Sequence, residues 1–335
     1  MKPSVLRDVL VNAFQNRQSI LITGAPGIGK SDLTHQAARE ANGNLILSHP
    51  VCSDPTDFKG YPFPVKGEGY ADFLPFGDLL ALIQADGLTI MFFDDLGQAR
   101  PATQASLMQL ILGGRINGKT INRDQVVFVG ATNRAEDLAG VSHILEPVKS
   151  RFIIVEMDVD LDDWCRWALD KKNGIPAELV AFIRFRPELL HQFQPSREIK
   201  NSPCPRSVAK CGQIMTAGYP EDTWHELFTG CCGEGFATEL MGFLKIFRSL
   251  PDPGYVISQP DKVDIPDDPA TLYALTGSVA AQANEENFDN VVKFADRLPD
   301  EFNVRLVIDS LSRNRDLSQT RPFIEWSVDH QDVTV

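Results

Sequence analysis

Five short apolar runs divide the first 160 residues of the chain, and polar or glycine-containing segments separate them. Short runs of this kind, rich in β-branched and aromatic side chains, predict strands that are buried on both faces. The predicted strands are 19–23, 45–48, 88–93, 126–131 and 152–157. Helical patterns accompany them at 3–17, 30–41 and 103–112. Buried strands that alternate with helices predict a mainly parallel sheet covered on both faces, which is the α/β class.

After residue 160 the apolar positions follow a helical period, and no convincing strand is predicted. The predicted helices are 161–172, 177–185, 207–218, 270–281, 287–298 and 301–311. Three prolines at 194–205 predict an ordered loop, and the Pro- and Asp-rich segment 251–268 predicts a connector. We therefore expect three domains, which are an α/β domain at 1–159, a helical domain at 160–250 and a helical extension at 251–335.

Two segments interrupt the alternation of strands and helices. Residues 54–72 are rich in proline, glycine and aromatic residues, and they suit a hairpin or loop insertion rather than a core helix. Residues 115–121 contain the pair Asn117-Gly118 between short apolar positions, which is a strong signal for a hairpin turn. Insertions in a compact domain usually carry function, because they cost packing and entropy.

A glycine-rich octapeptide follows the first predicted strand and fits the G-x-x-x-x-G-K-[ST] phosphate loop at each required position. Its residues are Gly24, Ala25, Pro26, Gly27, Ile28, Gly29, Lys30 and Ser31. The glycines allow several backbone N–H groups to point at one anion, and the following helix adds the positive end of its dipole. Lys30 can reach the β- and γ-phosphates, and the Ser31 hydroxyl can bind Mg²⁺. Because a chance glycine turn would not need this strand and helix around it, the motif predicts a nucleotide site.

Polar residues follow two other predicted strands and suggest the second half of the site. Asp94 and Asp95 end a very apolar strand, and Asn133 follows the strand at 126–131. In phosphate-loop enzymes the first acid at such a strand end helps to hold Mg²⁺, and a neighbouring acid polarises the attacking water. An Asn at the next strand end can hold that water near the γ-phosphate. The alternative is that all three are ordinary exposed turn residues, which are common at strand ends.

The composition is that of an ordinary globular protein with 43% hydrophobic residues and a net charge of -13. Such an acidic surface repels nucleic-acid phosphates unless basic residues are gathered locally, and the chain has no basic block. We expect no secretory signal at the start of the sequence, and no apolar run is long enough to span a bilayer. We therefore expect a cytoplasmic protein with no membrane partner.

The six cysteines leave one further alternative open. Cys204, Cys211 and the pair Cys231-Cys232 lie near His225 in the sequence and would be candidates for a zinc site. Their spacing matches no paired C-x-x-C pattern, so buried reduced thiols are the favoured interpretation.

The motifs together resemble the AAA+ ATPases, and within them the MoxR group of the helix-2-insert clade. The inserts at 54–72 and 115–121 fall where that clade has them, and residues 95–108 are similar to the MoxR stretch that follows the Walker B acids. The resemblance extends from about residue 18 to about residue 215. It implies a P-loop nucleotide-binding αβα sandwich with an all-α lid and a helical C-terminal extension.

The resemblance also assigns roles to individual residues. Asn133 corresponds to sensor 1. Arg151, within Lys149-Ser150-Arg151-Phe152, corresponds to the arginine finger that acts on the neighbouring subunit, the alternative being a surface arginine in a salt bridge. Arg206 corresponds to the sensor-2 arginine of the lid. Arginine suits both tasks, since its charge is permanent and its fork engages two oxygens.

Two features depart from the family pattern. Asp95 stands where the usual Walker B pair ends in Glu, and Gly97 and Gln98 stand where MoxR proteins commonly have Asn and Arg. Asp is one methylene shorter, which reduces its reach to the water by about 1.5 Å, and a misplacement of order 1 Å can cost roughly a hundredfold in rate.

The expected function is that of an oligomeric ATPase that uses ATP and Mg²⁺. The resemblance implies a homo-oligomeric ring, a hexamer, that remodels a protein client in a chaperone-like way, with a von Willebrand factor A-domain protein as a partner. Two alternatives stay open. One is a nucleic-acid motor like McrB, with Lys59, Lys66, Arg115 and Lys119 lining a basic pore. The other is an ATP-gated scaffold with little turnover.

Overall fold

The computed structural model describes residues 1–137, 144–196 and 198–330. The chain divides into two compact units, Met1–Val159 and Asp160–Val335. The helices of the first unit are α1 (Pro3–Gln15), α2 (Lys30–Glu40), α3 (Pro55–Lys59), α4 (Gly77–Ile83), α5 (Pro101–Gly113) and α6 (Glu146–Lys149). Its strands are β1 (Ile20–Thr23), β2 (Asn44–Ser48), β3 (Tyr61–Pro64), β4 (Ala71–Leu74), β5 (Thr89–Phe93), β6 (Arg115–Ile116), β7 (Lys119–Thr120), β8 (Val126–Thr132) and β9 (Ile153–Glu156).

A parallel sheet of five strands, in the order β2-β5-β8-β1-β9, forms the centre of the first unit. Side chains alternate between its faces, and each face supports a hydrophobic core. Ile22 and Val129 join the core that includes α1 and α2, whereas Met91 and Phe128 join the core that includes α5. Burial on both faces explains why β5 and β8 are continuous apolar runs rather than alternating ones. The predicted α/β fold is confirmed.

Both inserted segments form antiparallel hairpins, β3–β4 and β6–β7. Asn117 and Gly118 have φ of 47° and 78°, which is the backbone of a two-residue hairpin turn, as the sequence predicted. The insert at 54–72 also contains a short helix that the sequence analysis missed. This helix, α3, begins at the Asp54 cap and buries Phe58 in the core.

Contacts between the two inserted segments hold them together. The Asn117 side-chain amide donates to the carbonyl oxygen of Lys59 over 2.7 Å, and Lys119 pairs with Asp72 over 3.0 Å. The two inserts therefore form one surface feature of the first unit.

The second unit consists of helices and the loops that join them, and no strand is found in residues 160–196 and 198–330. Its helices are α7 (Leu161–Leu169), α8 (Ala177–Phe185), α9 (Pro205–Thr216), α10 (Trp224–Cys232), α11 (Glu234–Ser249), α12 (Pro253–Ser258), α13 (Pro269–Gln282), α14 (Phe288–Ala295), α15 (Asp300–Arg313) and α16 (Arg321–Asp329). The predicted helical C-terminal region is confirmed. The domain boundary at 250/251 stays a prediction.

The prediction of a connector at 251–268 is wrong in part, because this segment contains α12. The Asp252 side chain caps this helix by accepting from the backbone N–H of Tyr255, and Pro253 occupies its first turn. Val256 and Ile257 then enter a core that is shared with α13, α14 and α15. The same Pro and Asp residues that indicated a connector are therefore the start of a helix.

Candidate nucleotide site

The phosphate loop lies between the end of β1 and the start of α2. Gly24, Gly27 and Gly29 have φ of 153°, 74° and 100°, values that side-chain-bearing residues rarely adopt. A Cβ atom at Gly24 would also lie 2.7 Å from the carbonyl oxygen of Met157. Gly29 is the N-cap of α2. The backbone therefore turns directly into a helix N-terminus, the arrangement that binds phosphate groups.

Lys30 is the buried cation of this loop, with 8% of its surface exposed. Its ammonium group donates to the carbonyl oxygens of Gly24 (2.9 Å) and Ala25 (2.8 Å) and to Oδ1 of Asn133 (2.8 Å). The structure thus brings together Lys30 and Asn133, which are 103 residues apart in the sequence. The parallel pairing of β1 with β8 explains the contact, since Thr23 and Thr132 are register partners.

Ser31 and Asp94 form the second contact of the site. The Ser31 hydroxyl donates to Oδ2 of Asp94 over 2.6 Å. A hydroxyl and a carboxylate at this separation are hard oxygen donors of the kind that Mg²⁺ prefers, with phosphate oxygens and water completing its shell. The two residues therefore fit the ion. Within the described ranges, no group of three or more His, Cys, Asp or Glu residues is arranged to hold a metal.

Asp95 has an unusual backbone. Its φ of 54° and ψ of 35° place it in the left-handed region, and Nε2 of Gln98 donates to its Oδ1 over 2.9 Å. The Oε1 atom of Gln98 is buried and has no hydrogen-bond partner. The sequence pattern alone did not assign Gln98 to the site. The only signal was the three-residue spacing from Asp95, which a single turn of 3₁₀ helix brings into contact.

Arg134 is a second residue that the sequence analysis did not single out. It follows Asn133 and pairs with Glu136, Asp137 and Glu156. Hydrogen bonding to Asp137, which outweighs the opposing effect of burial, raises the pKa of Arg134 above its usual range. Glu156 is the register partner of Thr23 at the end of β1. The ion pairs of Arg134 therefore connect the turn after Asn133 to the strand end beside the phosphate loop.

Arg151 lies at the opposite end of the sheet from the phosphate loop. It precedes β9 closely, and the backbone N–H of Ile153 bonds to Ser19, before β1 begins. The phosphate loop starts where β9 ends, beside Met157. The span from Ile153 to Met157 is about 13 Å at ~3.3 Å per residue. Arg151 donates to the Ser150 hydroxyl over 2.6 Å, while its Nε is buried without a hydrogen-bond partner.

Arg206 belongs to the second unit. It is exposed in the first turn of α9, between Cys204 and Ser207, which form the capping box of that helix. A positive charge near a helix N-terminus is unfavourable with respect to the helix dipole, so local helix stability does not explain an arginine here.

Most of the first unit matches the model of a known protein family. Residues 20–154 match the model of the ATPase family associated with various cellular activities (AAA). The matched segment includes the phosphate loop, both aspartates, Asn133 and Arg151. It is therefore an AAA ATPase-family domain, of a family whose members bind and hydrolyse nucleotide.

Solved structures of RuvB from Thermotoga maritima are also similar to this chain. The Holliday junction branch migration motor is 17% identical with a TM-score of 0.43, and the match covers 78% of this chain and 75% of RuvB. One RuvB point mutant is 18% identical with a TM-score of 0.43, and the match covers 76% of this chain and 74% of the mutant. A second point mutant is 16% identical with a TM-score of 0.43, and the match covers 84% of this chain and 87% of the mutant. Among the described residues, no helix is long and apolar enough to cross a membrane.

Proposed function

We propose that the protein is an ATP-hydrolysing, ring-forming AAA+ ATPase of the MoxR type that remodels a protein client. The observation that carries this proposal is the convergence of Lys30, Asn133, Ser31 and Asp94 at one edge of the parallel sheet. These residues come from three different strand ends, and each offers the group that phosphoryl transfer to water requires.

Lys30 is the group that responds to the nucleotide. Its ammonium is bonded to two backbone carbonyls and to Asn133, so bound phosphate oxygens would replace some of these acceptors. An ammonium has three donors and no acceptor. Each contact that Lys30 makes with phosphate therefore releases a protein acceptor. When the released group is Asn133, its amide becomes free to orient the attacking water.

Ser31 and Asp94 would hold Mg²⁺, which neutralises phosphate charge when it is bound. Asp95 is the proposed acceptor of the proton from water. Its carboxylate is already oriented by Gln98, so the hydrogen bond fixes the direction in which the free oxygen points. The alternative of an ATP-gated scaffold depends on Asp95, because a badly placed base would leave ATP binding intact and slow ATP hydrolysis.

Arg151 is the proposed arginine finger for a neighbouring subunit. The strand β9 separates Arg151 from its own phosphate loop by more than the reach of its side chain, which supports action in trans rather than within the subunit. Ile153 and Ile154, which follow it, are 51% and 50% exposed. Apolar residues exposed beside a functional arginine are compatible with a subunit contact at this edge. Arg206 is the proposed lid residue that contacts the γ-phosphate.

The paired hairpins are the proposed client-binding surface. Tyr61 and Leu74 are register partners and Phe63 lies two residues further on, so all three share a face of the β3–β4 hairpin. Their exposures are 61%, 59% and 58%. Exposed aromatic and aliphatic side chains favour an apolar protein segment as the client. The resemblance to MoxR proteins adds a von Willebrand factor A-domain protein as a partner of this kind.

The nucleic-acid alternative needs the basic residues of the two inserted segments. Lys119 is paired with Asp72, whereas Lys59, Lys66 and Arg115 are exposed. Steeply salt-dependent DNA binding that the triple change Lys59→Ala, Lys66→Ala and Arg115→Ala abolishes would favour this alternative over a protein client.

The experiment that tests the proposed site measures ATP binding and hydrolysis in Lys30→Ala. Loss of the buried ammonium removes the closest fixed positive charge for the phosphates, so ATP binding and ATP hydrolysis should both be lost or nearly so. Arg39→Ala is the matched control, because it removes a cation from the same helix at its other end. Unchanged ATP affinity in Lys30→Ala would contradict the proposed phosphate loop.

A further inference from the structure

The position of Asn133 depends on the turn that follows it, because Asn133 lies beyond the last paired residue of β8. The parallel pairing of β8 with β1 ends at Thr132, opposite Thr23. The Thr132 hydroxyl donates to the carbonyl oxygen of Asn133 over 3.1 Å, and the Asn133 side-chain oxygen accepts from Lys30. The hydrogen bonds of the sheet therefore do not fix this side chain. Its place depends on what holds the chain after Asn133.

Arg134 and Asp137 close this turn through both their backbones and their side chains. The backbone N–H of Asp137 donates to the carbonyl oxygen of Arg134 over 3.3 Å, and the backbone N–H of Arg134 donates to Oδ2 of Asp137 over 3.2 Å. The guanidinium engages both oxygens of the same carboxylate, with Nε to Oδ2 and Nη2 to Oδ1 at 3.1 Å each. Such a fork fixes orientation as well as distance. Asp137 is 5% exposed, so salt screens this pair weakly.

The same guanidinium also reaches the other side of β1. Its Nη1 donates to Oε1 of Glu156 over 3.4 Å, and Glu156 is the last residue of β9. Because the strand order is β8-β1-β9, Arg134 connects the two strands that flank the one leading into the phosphate loop. Strands in a sheet lie about 4.8 Å apart, so the connection spans roughly 10 Å. It therefore fixes the turn after Asn133 relative to the strand end from which the phosphate loop starts.

Charge pairing alone is a weak reason for an arginine at this position. Glu136 and Glu156 are exposed, and ion pairs with exposed partners contribute little to stability. A lysine would also place a cation beside the buried Asp137. An arginine does what a lysine cannot, since its fixed fork engages one carboxylate with two donors and leaves a third donor for Glu156. The feature that requires arginine is therefore the geometry of the turn beside Asn133.

We propose that Arg134 is a positioning residue that acts through Asn133 in ATP hydrolysis. Held by Asp137 and Glu156, Arg134 keeps the Asn133 amide where it can orient the attacking water once phosphate has replaced it on Lys30. This role rests on the proposed function, because it needs Asn133 to hold that water. In this role Arg134 contacts neither the nucleotide nor the water. A misplacement of order 1 Å can cost about a hundredfold in rate, so a small shift of the Asn133 amide is enough.

The first test measures kcat and KM for ATP by phosphate release in the full chain. Arg134→Ala should lower kcat by roughly tenfold to a hundredfold and leave KM unchanged, since the phosphate contacts stay in place. Arg134→Lys keeps a cation beside the buried Asp137, so it should fold. It lacks the fork, and its kcat should lie between those of the parent and Arg134→Ala. A raised KM with an unchanged kcat in either variant would overturn the proposal.

The matched control is Arg7→Ala, which removes another partly exposed arginine of the first unit. The side chains of Arg7 and Arg134 are 40% and 32% exposed, and Arg7 pairs with Asp8 and Glu40 on α1 and α2. This variant should hydrolyse ATP like the parent. An equal loss of kcat in Arg7→Ala and Arg134→Ala would mean that the effect is not specific to the turn, and would overturn the proposal.

A double-mutant cycle with Asn133→Ala separates positioning from a general structural effect. If Arg134 acts through Asn133, its removal has nothing further to disturb in a chain that already lacks the Asn133 amide. The double variant Asn133→Ala, Arg134→Ala should therefore hydrolyse ATP at the rate of Asn133→Ala alone. Single-turnover measurements with the protein in excess resolve these slow rates. Losses that multiply would show that Arg134 acts independently of Asn133 and would overturn the proposal.

The outcomes distinguish this inference from the proposed function. Loss of hydrolysis in Asn133→Ala together with a parental kcat in Arg134→Ala would overturn the positioning role alone. A parental kcat in Asn133→Ala would overturn the role of Asn133 in the proposed function, and the positioning role with it. Urea denaturation of each variant accompanies the kinetics. A lower free energy of unfolding in Arg134→Ala with a parental kcat would identify an arginine that only stabilises the fold.

Discussion

At the scale of single residues, Asp95 shows how the backbone selects a side chain. A left-handed φ of 54° is tolerated by Asp and Asn better than by other residues with side chains, because their short polar groups bond locally. The sequence alone showed only that Asp stands where Glu is usual. The structure supplies a physical reason for the difference. The motif residues Lys30, Ser31 and Asp94 could be predicted because their spacing is fixed, whereas Gln98 could not, since its role depends on a local turn.

The residue-scale prediction compares Asp95→Glu with Asp95→Asn. Glu should lower the free energy of unfolding by about 1 kcal/mol, because a longer side chain gains nothing from the left-handed conformation. Asn should keep the stability and the ATP affinity but stop hydrolysis, since it cannot accept a proton from water. Chemical denaturation and phosphate release measure the two effects. Hydrolysis at the parental rate in Asp95→Asn would remove Asp95 from the proposed mechanism.

At the scale of elements, the sheet was predictable and the loops were less so. The five strands were found to within about two residues, because burial on both faces leaves long apolar runs in the sequence. The helix α3 was missed, since five residues are too few for a helical period to be recognised. Its Asp54 cap and buried Phe58 were the only local signs. The hairpin at Asn117 was predictable because its turn needs particular residues.

The element-scale prediction concerns the exposed face of the β3–β4 hairpin. The double change Tyr61→Ser and Phe63→Ser should keep the free energy of unfolding within about 0.5 kcal/mol, since both side chains are largely exposed. It should also keep basal ATP hydrolysis. Stimulation of hydrolysis by a permanently unfolded probe, reduced and carboxymethylated α-lactalbumin, should be lost. Ile324→Ser is the matched control, because it removes an apolar side chain that is 54% exposed on α16. Retained stimulation in the hairpin variant would show that this face does not bind the probe.

At the scale of the whole molecule, contacts between helices of the second unit that are distant in the sequence were beyond prediction. Arg184 on α8 forms a buried ion pair with Asp309 on α15, although 125 residues separate them. Neither residue has a local pattern that identifies its partner. A buried charge that loses its partner typically costs 3–5 kcal/mol. The pair therefore couples helices from both sides of the predicted boundary at 250/251 within the second unit.

The position of Arg151 makes the ring itself testable. An arginine finger contributes on the order of 10³ to 10⁵ in rate and little to nucleotide affinity, so Arg151→Ala should bind ATP and hardly hydrolyse it. Lys149→Ala is the matched control, since it removes a neighbouring, partly exposed cation that pairs only with Glu146 among the ion pairs of the described residues. Phosphate release and ATP binding are measured for both.

Mixing two inactive variants distinguishes action in trans from action within one subunit. An Arg151→Ala subunit retains its phosphate loop, and a Lys30→Ala subunit retains Arg151, so a mixed ring contains some interfaces with both groups intact. Hydrolysis by mixed rings should exceed the sum of the two separate variants. No recovery in rings shown to be mixed would mean that Arg151 acts in its own subunit or is structural. The first of these conflicts with the length of β9, because Arg151 precedes this strand and the phosphate loop lies at its other end. A failed recovery would therefore point to a structural arginine and remove the strongest support for a shared site.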